Sequence, residues 1–433
     1  MTSPDWSELD RLHVWHPYTQ AQTAPAPLAV ERAEGVYLHV AGGRRILDAI
    51  SSWWVNIHGH SHPRLNRALA EQAERLQQVI FAGATHEPAA RLAAELVRRA
   101  PGRLPRVFYS DDGSTAVEVA LKMAYQSWRN RGDARRTLFV AFERAYHGDT
   151  FGAMAAGGVA AFHDVFRDLF CDVRRARLPF LSAAGESHLP SLEEILEREG
   201  DRVAAVIVEP MLQGAGGMIV WPAAALRAVR DATARHGLPL IADEVLTGFG
   251  RTGKMFACEH AAVEPDLLCL SKALTGGYLP LAATLATEEI YGAFLAEERN
   301  RALFHGHSYT ANALACAVAL ESLRLFDDER RLDRVVELER LFRRRLERLA
   351  RHPRVEEVRC IGAVAAVELA TGGGGYLDDA GPLLQAEFIA RGILLRPLGN
   401  VLYFMPPYVI QDAEAEWVFD EIEKVLAALP SAK

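Results

Sequence analysis

The sequence predicts an α/β fold: a large central domain around a mainly parallel sheet covered on both faces, and a small α+β domain assembled from both chain ends. Three observations carry that expectation. The middle of the chain alternates short apolar, β-rich runs with amphipathic helical patterns, the arrangement of parallel strands joined by helical crossovers. The flanks differ, with a hairpin pattern near the start and long charged helices after about residue 312. A chain of 433 residues, half of them apolar, can also bury a core of that size. The division expected is 1–57 and 313–433 for the small domain and 58–312 for the large one.

In chain order, "GVYLHVAGGRRILDAI" (35–50) reads as a hairpin turning at Gly42-Gly43. Strands follow at "RVFYS" (106–110), "TLFVAF" (137–142), "VAAVIV" (203–208), "LPLIAD" (238–243), "LLCLS" (267–271) and "LAATLA" (281–286). Helical patterns between them include 115–131 and 223–237. Further on, "DDERRLDRVVELERLFRRRLERLARHP" (327–353) reads as a helix whose charges form a solvated face. "GAVAAVELA" and "GNVLYFMPPYV" read as strands, and Gly372–Gly375 as a flexible loop. No internal repeat is visible.

Composition narrows the function classes. A formal charge of −8 speaks against nucleic acid or an anionic membrane as partner. Five scattered cysteines with no CxxC pair suit a reducing cytoplasm and suggest neither a zinc site nor a disulfide framework. No signal core opens the chain, and no apolar run approaches the roughly 20 residues of a membrane helix, so a soluble cytoplasmic protein is expected. Two motifs are decoys. "GFGRTGKM" (248–255) satisfies both GxGxxG and GxxxxGK, yet Met255 stands where a P-loop needs a hydroxyl, and "DEVLT" separates the glycines from the strand. "HGHSHP" places His58, His60 and His62 at alternate positions, but no carboxylate or cysteine is close in sequence, so a loop beside a cleft is preferred to a metal site.

The informative feature is Lys272, a long cation at the end of an apolar strand and before a glycine turn. It either snorkels to solvent or places its amine in a pocket to react. Its surroundings favour the second. Gly113-Ser114 lies between a strand and a helix start, where free N–H groups, a hydroxyl and the helix dipole would hold a phosphate; the alternative is a plain N-cap by Ser114. Asp243 closes another strand, where it could bond a pyridine nitrogen or merely a salt-bridge partner. Tyr146 and His147 offer aromatic faces, or belong to a surface loop. Phosphate holder, pyridinium partner, stacking face and lysine in this order form a set suited to pyridoxal 5'-phosphate. Burial would lower the pKa of Lys272 from its ordinary value of about 10.4 and free its amine.

"IADEVLTGFGRTGKMFACEH" (241–260) and "PDLLCLSKALTGGYLPLAAT" (265–284) resemble the class III, fold-type I pyridoxal-phosphate aminotransferases, over nearly the whole chain. "WHPYTQ" (15–20), "LDAISSWWVNIHGHSHP" (47–63), "AYHGDTFGAM" (145–154), "HGHSYTANALACAVA" (305–319) and "LLRPLGNVLYFMPPY" (394–408) are similar to members of that family that act in biotin synthesis. The resemblance implies transamination of 8-amino-7-oxononanoate to 7,8-diaminononanoate with S-adenosyl-L-methionine as donor, in a homodimer with active sites at the interface. It implies that Lys272 binds the cofactor covalently, that Asp243 partners its ring nitrogen, and that Gly113 and Ser114 hold its phosphate. Gly306, His307 and Ser308 would reach phosphate and substrate across the interface. Trp53 and Tyr146 would contact substrate, Arg396 would pair with the acceptor's carboxylate, and Tyr18 would help to recognise that acceptor. Many members carry HGPT where this chain has "HGHS" (305–308), so Ser308 keeps a hydroxyl while His307 replaces proline beside the donor. Lysine as donor, another class III ω-aminotransferase, a glutamate-semialdehyde aminomutase and a cofactor-free binding protein are the alternatives.

Overall fold

The computed structural model describes residues 6–180, 188–371 and 375–428. Its centre is a seven-stranded sheet in the order Arg106–Ser110, Ala282–Ala286, Leu267–Leu270, Leu240–Asp243, Val203–Val208, Leu138–Phe142, Val173–Ala176. Every residue of Leu267–Leu270, Val203–Val208 and Leu138–Phe142 is buried, as expected of strands covered on both faces. All pairings are parallel except those of Ala282–Ala286, which runs antiparallel to both neighbours. The reason is the length of its connection: residues 271–281 are too few for the helical crossover that a parallel neighbour requires.

The two chain ends meet in a four-stranded sheet, Val30–Glu34, Tyr37–Val40, Arg44–Asp48 and Ile393–Leu394, the last two parallel through Ile393 and Leu47. Gly42 and Gly43 turn the hairpin at φ 82° and 79°, a region that glycine enters without steric cost. Val355–Ile361, Val364–Leu369 and Val401–Phe404 form a separate antiparallel sheet. Helix Arg331–Leu349 departs from the solvated-face expectation. Arg345 is only 7% exposed, with carboxylates of Glu416, Asp420 and Glu423 at 2.5, 2.6 and 3.0 Å from its guanidinium, so part of that charge run ties the helix to Asp412–Ala428. Gly372–Gly374 lie outside the described residues. Among the described residues no helix is long and apolar enough to cross a membrane.

Candidate active site

Asp243 closes strand Leu240–Asp243, and Lys272 follows strand Leu267–Leu270 by one residue. Because the two strands are parallel neighbours, both side chains reach the same end of the sheet, where ligands bind in such folds. Helix Gly113–Asn130 begins at that end. Asp112, not Ser114, caps it: the Asp112 carboxylate accepts the Thr115 N–H and the Thr115 hydroxyl accepts the Asp112 N–H. Ser114 is thereby released from capping, and its Oγ lies 2.8 Å from Thr150 Oγ1 while accepting the Thr150 N–H at 2.9 Å. The helix sits close on the strands, since Ala116 O accepts the Thr284 hydroxyl at 2.8 Å. A Cβ on Gly113 would fall 2.4 Å from Val245 Cγ1, and one on Gly148 would fall 2.3 Å from Ser114. Only glycine permits these approaches.

These residues line a cavity of about 660 Å³ together with Tyr146, His147, Glu209, Ser271 and Lys272. Lys272 is held at φ 46°, unusual for a residue with a side chain. Burial pushes its ammonium down to about 8, against the opposing pull of Asp243 and Glu209, so burial wins. The indole of Trp54 lies 4.8 Å from Nζ. Asp243 is 4% exposed and accepts from Val245 N, while its Oδ2 lies 2.7 Å from His147 Nδ1. His147 is therefore not a surface residue: Asp243 holds its ring through Nδ1, a bond in the ring plane that does not occupy its face. Glu209 had no place among the sequence candidates. It is buried, accepts from Tyr146 N at 2.9 Å and Gly214 N at 3.0 Å, and burial raises its carboxyl to about 7. The signal was present: an acid directly after the apolar "VAAVIV" occupies a strand end like Asp243.

A second cavity of about 300 Å³ shares Lys272, Trp54, Tyr146 and Asp149 with the first. Its other walls include Tyr18, Trp53, Phe162, Tyr376 and Arg396. Tyr18 donates to Asp149 Oδ2 at 2.5 Å and lies 3.1 Å from the Tyr146 hydroxyl. Burial and the bond to Asp149 hold the Tyr18 phenol well above its ordinary pKa. The Tyr18 ring meets Trp53 and Phe162 edge to face at 5.6 and 5.4 Å. Arg396 places its guanidinium 4.8 Å from the Trp53 ring and has no carboxylate within 4.0 Å among the described residues. A cation without an anion, lining the same aromatic cavity as Lys272, suits an incoming carboxylate.

Gly306, His307 and Ser308 line neither cavity. Ser308 O accepts from Gln78 at 2.9 Å, His307 Nε2 lies 3.8 Å from Asp111, and Phe304 and Tyr309 beside them are 80% and 66% exposed. The three histidines of "HGHSHP" go to separate partners: His58 to Ser322, His60 to Asp48 and His62 to Glu329. Among the described residues no cluster of metal-binding side chains occurs.

Comparison with known proteins adds an independent line. The family model described as aminotransferase class-III matches residues 18–426. The adenosylmethionine-8-amino-7-oxononanoate aminotransferase of Synechococcus elongatus is 48% identical over 96% of this chain and 98% of its own. Its namesake in Geobacter sulfurreducens is 42% identical over 98% and 97%. Among solved structures, the adenosylmethionine-8-amino-7-oxononanoate aminotransferase of Methanocaldococcus jannaschii superposes with a TM-score of 0.93 at 38% identity, over 98% of this chain and 99% of that one. An ω-transaminase of Pseudomonas jessenii in complex with PMP reaches 0.89 at 29% identity, over 98% of both chains.

Proposed function

The chain belongs to the class III aminotransferase family, and on that premise we propose that it transfers an amino group from S-adenosyl-L-methionine to 8-amino-7-oxononanoate, giving 7,8-diaminononanoate for biotin synthesis, with pyridoxal 5'-phosphate as cofactor. The observation that carries the reading is Arg396, a guanidinium with no carboxylate partner among the described residues that lines the same aromatic-walled cavity as Lys272, set in a chain 48% identical to a relative named for this reaction.

The residues fit the cofactor. Gly113 and Gly148 let Val245 and Ser114 pack close at the helix start, where a Cβ would clash, and among the described residues His147 Nε2 is buried without a hydrogen-bond partner and Lys272 Nζ has no hydrogen-bond or ion-pair partner. Gly113 and Ser114 would hold the phosphate on the N-terminal amides of an 18-residue helix. Asp243, oriented by His147, would keep a proton on the ring nitrogen. Tyr146, which lines both cavities, would flank ring and substrate together. When bound, the cofactor supplies an aldehyde that exchanges amines and a ring that accepts the electrons left by a departing proton. Lys272 Nζ, partly neutral near pH 8, would hold the cofactor at rest and, once displaced, carry a proton between the two carbons that flank the transferred nitrogen. Arg396 would fix the acceptor's carboxylate, and Trp53, Tyr18 and Phe162 would enclose its aliphatic chain.

Ser308, with Gly306 and His307, would complete the site of a second copy of the chain. The supporting features are that Gly306, His307 and Ser308 line neither cavity of their own chain and that Phe304 and Tyr309 are 80% and 66% exposed. The two-domain division at residues 57 and 312 belongs to the same reading. Lysine as donor has one specific feature in its favour. Asp149, its carboxyl held below the ordinary range by the nearby His163 imidazole and the Tyr18 hydroxyl despite burial, offers an anion in the substrate cavity. That anion suits a sulfonium equally, and the relatives' names favour adenosylmethionine. The test is formation of 7,8-diaminononanoate from 8-amino-7-oxononanoate with each donor in turn. Product with adenosylmethionine supports the reading; product with lysine alone transfers the donor assignment; no product with either removes the acceptor.

A further inference from the structure

We propose that Asp48 is a positioning residue for the acceptor end of the cavity: its carboxylate fixes the turn that seats Trp53 between Arg396 and Tyr18. The proposal rests on the reading of Arg396 as the group that receives the acceptor's carboxylate.

Asp48 ends strand Arg44–Asp48 and is 0% exposed. Past it the chain makes a turn with little precedent in regular structure. Ser51, Ser52 and Trp54 all have positive φ, at 52°, 62° and 68°, and Trp53 between them stands at −134°. Three side-chain-bearing residues in that region within four positions persist only where the surroundings overdetermine them. The ties are unevenly distributed. Ser51 donates its hydroxyl to Met405 O at 2.7 Å, and Trp54 donates Nε1 to the Tyr403 hydroxyl at 3.0 Å. Among the described residues Ser52 hydrogen-bonds to Asp48 alone, its N–H shared between Oδ1 and Oδ2 at 2.8 and 2.7 Å and its hydroxyl on Oδ2 at 3.1 Å.

Asp48 is itself fixed by His60, whose Nε2 lies 2.9 Å from Oδ2 and whose backbone pairs with Gly35 at 2.7 and 3.1 Å. That gives the middle histidine of "HGHSHP" a task other than metal binding. A buried carboxylate must have its acceptor sites filled, and here the turn fills them. Trp54, which faces Lys272, has its own anchor in Tyr403; Trp53, which faces Arg396 and Tyr18, depends on Ser52 and hence on Asp48. Loosening Asp48 therefore disturbs the acceptor end and spares the lysine end.

The probe is nonanoate, a nine-carbon carboxylate without a reactive carbonyl, titrated by calorimetry into the cofactor-loaded full chain. Asp48→Asn keeps the size of the side chain but turns an NH₂ toward donors, and it weakens nonanoate binding about tenfold, the scale of one lost charged hydrogen bond. The visible cofactor band and the rate of the donor half-reaction stay within about twofold of the parent. In a Trp53→Ala background, Asp48→Asn adds no further loss, because the tryptophan through which it acts is gone. His60→Ala, which leaves the carboxylate in place but withdraws the imidazole that fixes it, weakens nonanoate binding in the same sense and serves if Asp48→Asn does not fold. Unchanged nonanoate affinity in His60→Ala or Asp48→Asn, equal losses in donor and nonanoate measurements, or additivity with Trp53→Ala overturns the proposal. If the parent protein binds nonanoate yet does not aminate 8-amino-7-oxononanoate, the acceptor assignment fails while Asp48 keeps its role.

Discussion

The two cavities that meet at Lys272 are built in different ways. The larger one is cut into the carboxyl end of the central sheet, and its chemistry rests on buried polar atoms at strand ends: Lys272, Asp243 and Glu209. The smaller one is assembled from both chain ends, Tyr18 and Trp53 from the first and Tyr376, Arg396 and Tyr403 from the last, and is walled by edge-to-face rings. In the first, burial sets the proton affinities, with an amine pushed down to about 8 and a carboxyl pushed up to about 7. In the second, shape and one unpaired cation set what can enter. The contrast separates chemistry common to a family from selection of a substrate, and each region can be damaged without the other.

The largest effect belongs to the shared residue. Lys272→Ala abolishes multiple turnover, with about 10²–10⁴-fold lost from its proton transfers alone. The protein keeps noncovalent affinity for the cofactor, measured by retention through gel filtration. Near-normal turnover would remove Lys272 from the chemistry. Next comes Asp243→Asn, which withdraws a buried charge and leaves His147 without its anion. Turnover falls about 10²–10³-fold, equivalent to the roughly 3–5 kcal/mol of a broken buried pair. Both half-reactions slow together, because the ring serves both. A loss confined to the acceptor half-reaction would erase the distinction between the cavities.

The smallest effect is a shift of pH. Desolvation disfavours the ammonium of Lys272, so its neutral form accumulates as pH rises through about 8 rather than near 10.5. Cofactor capture by the cofactor-free protein, followed as growth of the visible band, should accelerate up to that pH and level off above it. A midpoint near 10.5 would mean a solvated lysine.

The sheet region was legible in the sequence because its signals are local. An apolar run that ends in Lys272 or Asp243 announces a buried strand and a polar strand end in a few residues, and Glu209 after "VAAVIV" carried the same mark. The antiparallel course of Ala282–Ala286 was less visible, since strand direction depends on the length of the preceding connection rather than on its own residues. The cap at Asp112 was hidden because Ser114, two residues later and offered as the alternative to a phosphate-holding role, is an equally good capping type. The second cavity was hidden for a physical reason. Tyr18 and Arg396 are separated by most of the chain, and no periodicity brings them together; only resemblance to a family suggested it. The pairing of His147 with Asp243 and of His60 with Asp48 is also nonlocal, which is why His147 read as an aromatic face or a surface-loop residue and His60 as part of a loop beside a cleft.

The most direct test of the division is single-turnover kinetics of each half-reaction in Arg396→Ala. Arg396 borders only the smaller cavity, and the loss of a charged hydrogen bond there costs about 1.5–3 kcal/mol. The predicted result is a parent-like visible band, a donor half-reaction with adenosylmethionine close to the parent rate, and an acceptor half-reaction about 10–100-fold slower at subsaturating 8-amino-7-oxononanoate. Equal losses in the two half-reactions would contradict the account, because they would place Arg396 in the shared chemistry of Lys272 rather than at the end that selects the acceptor.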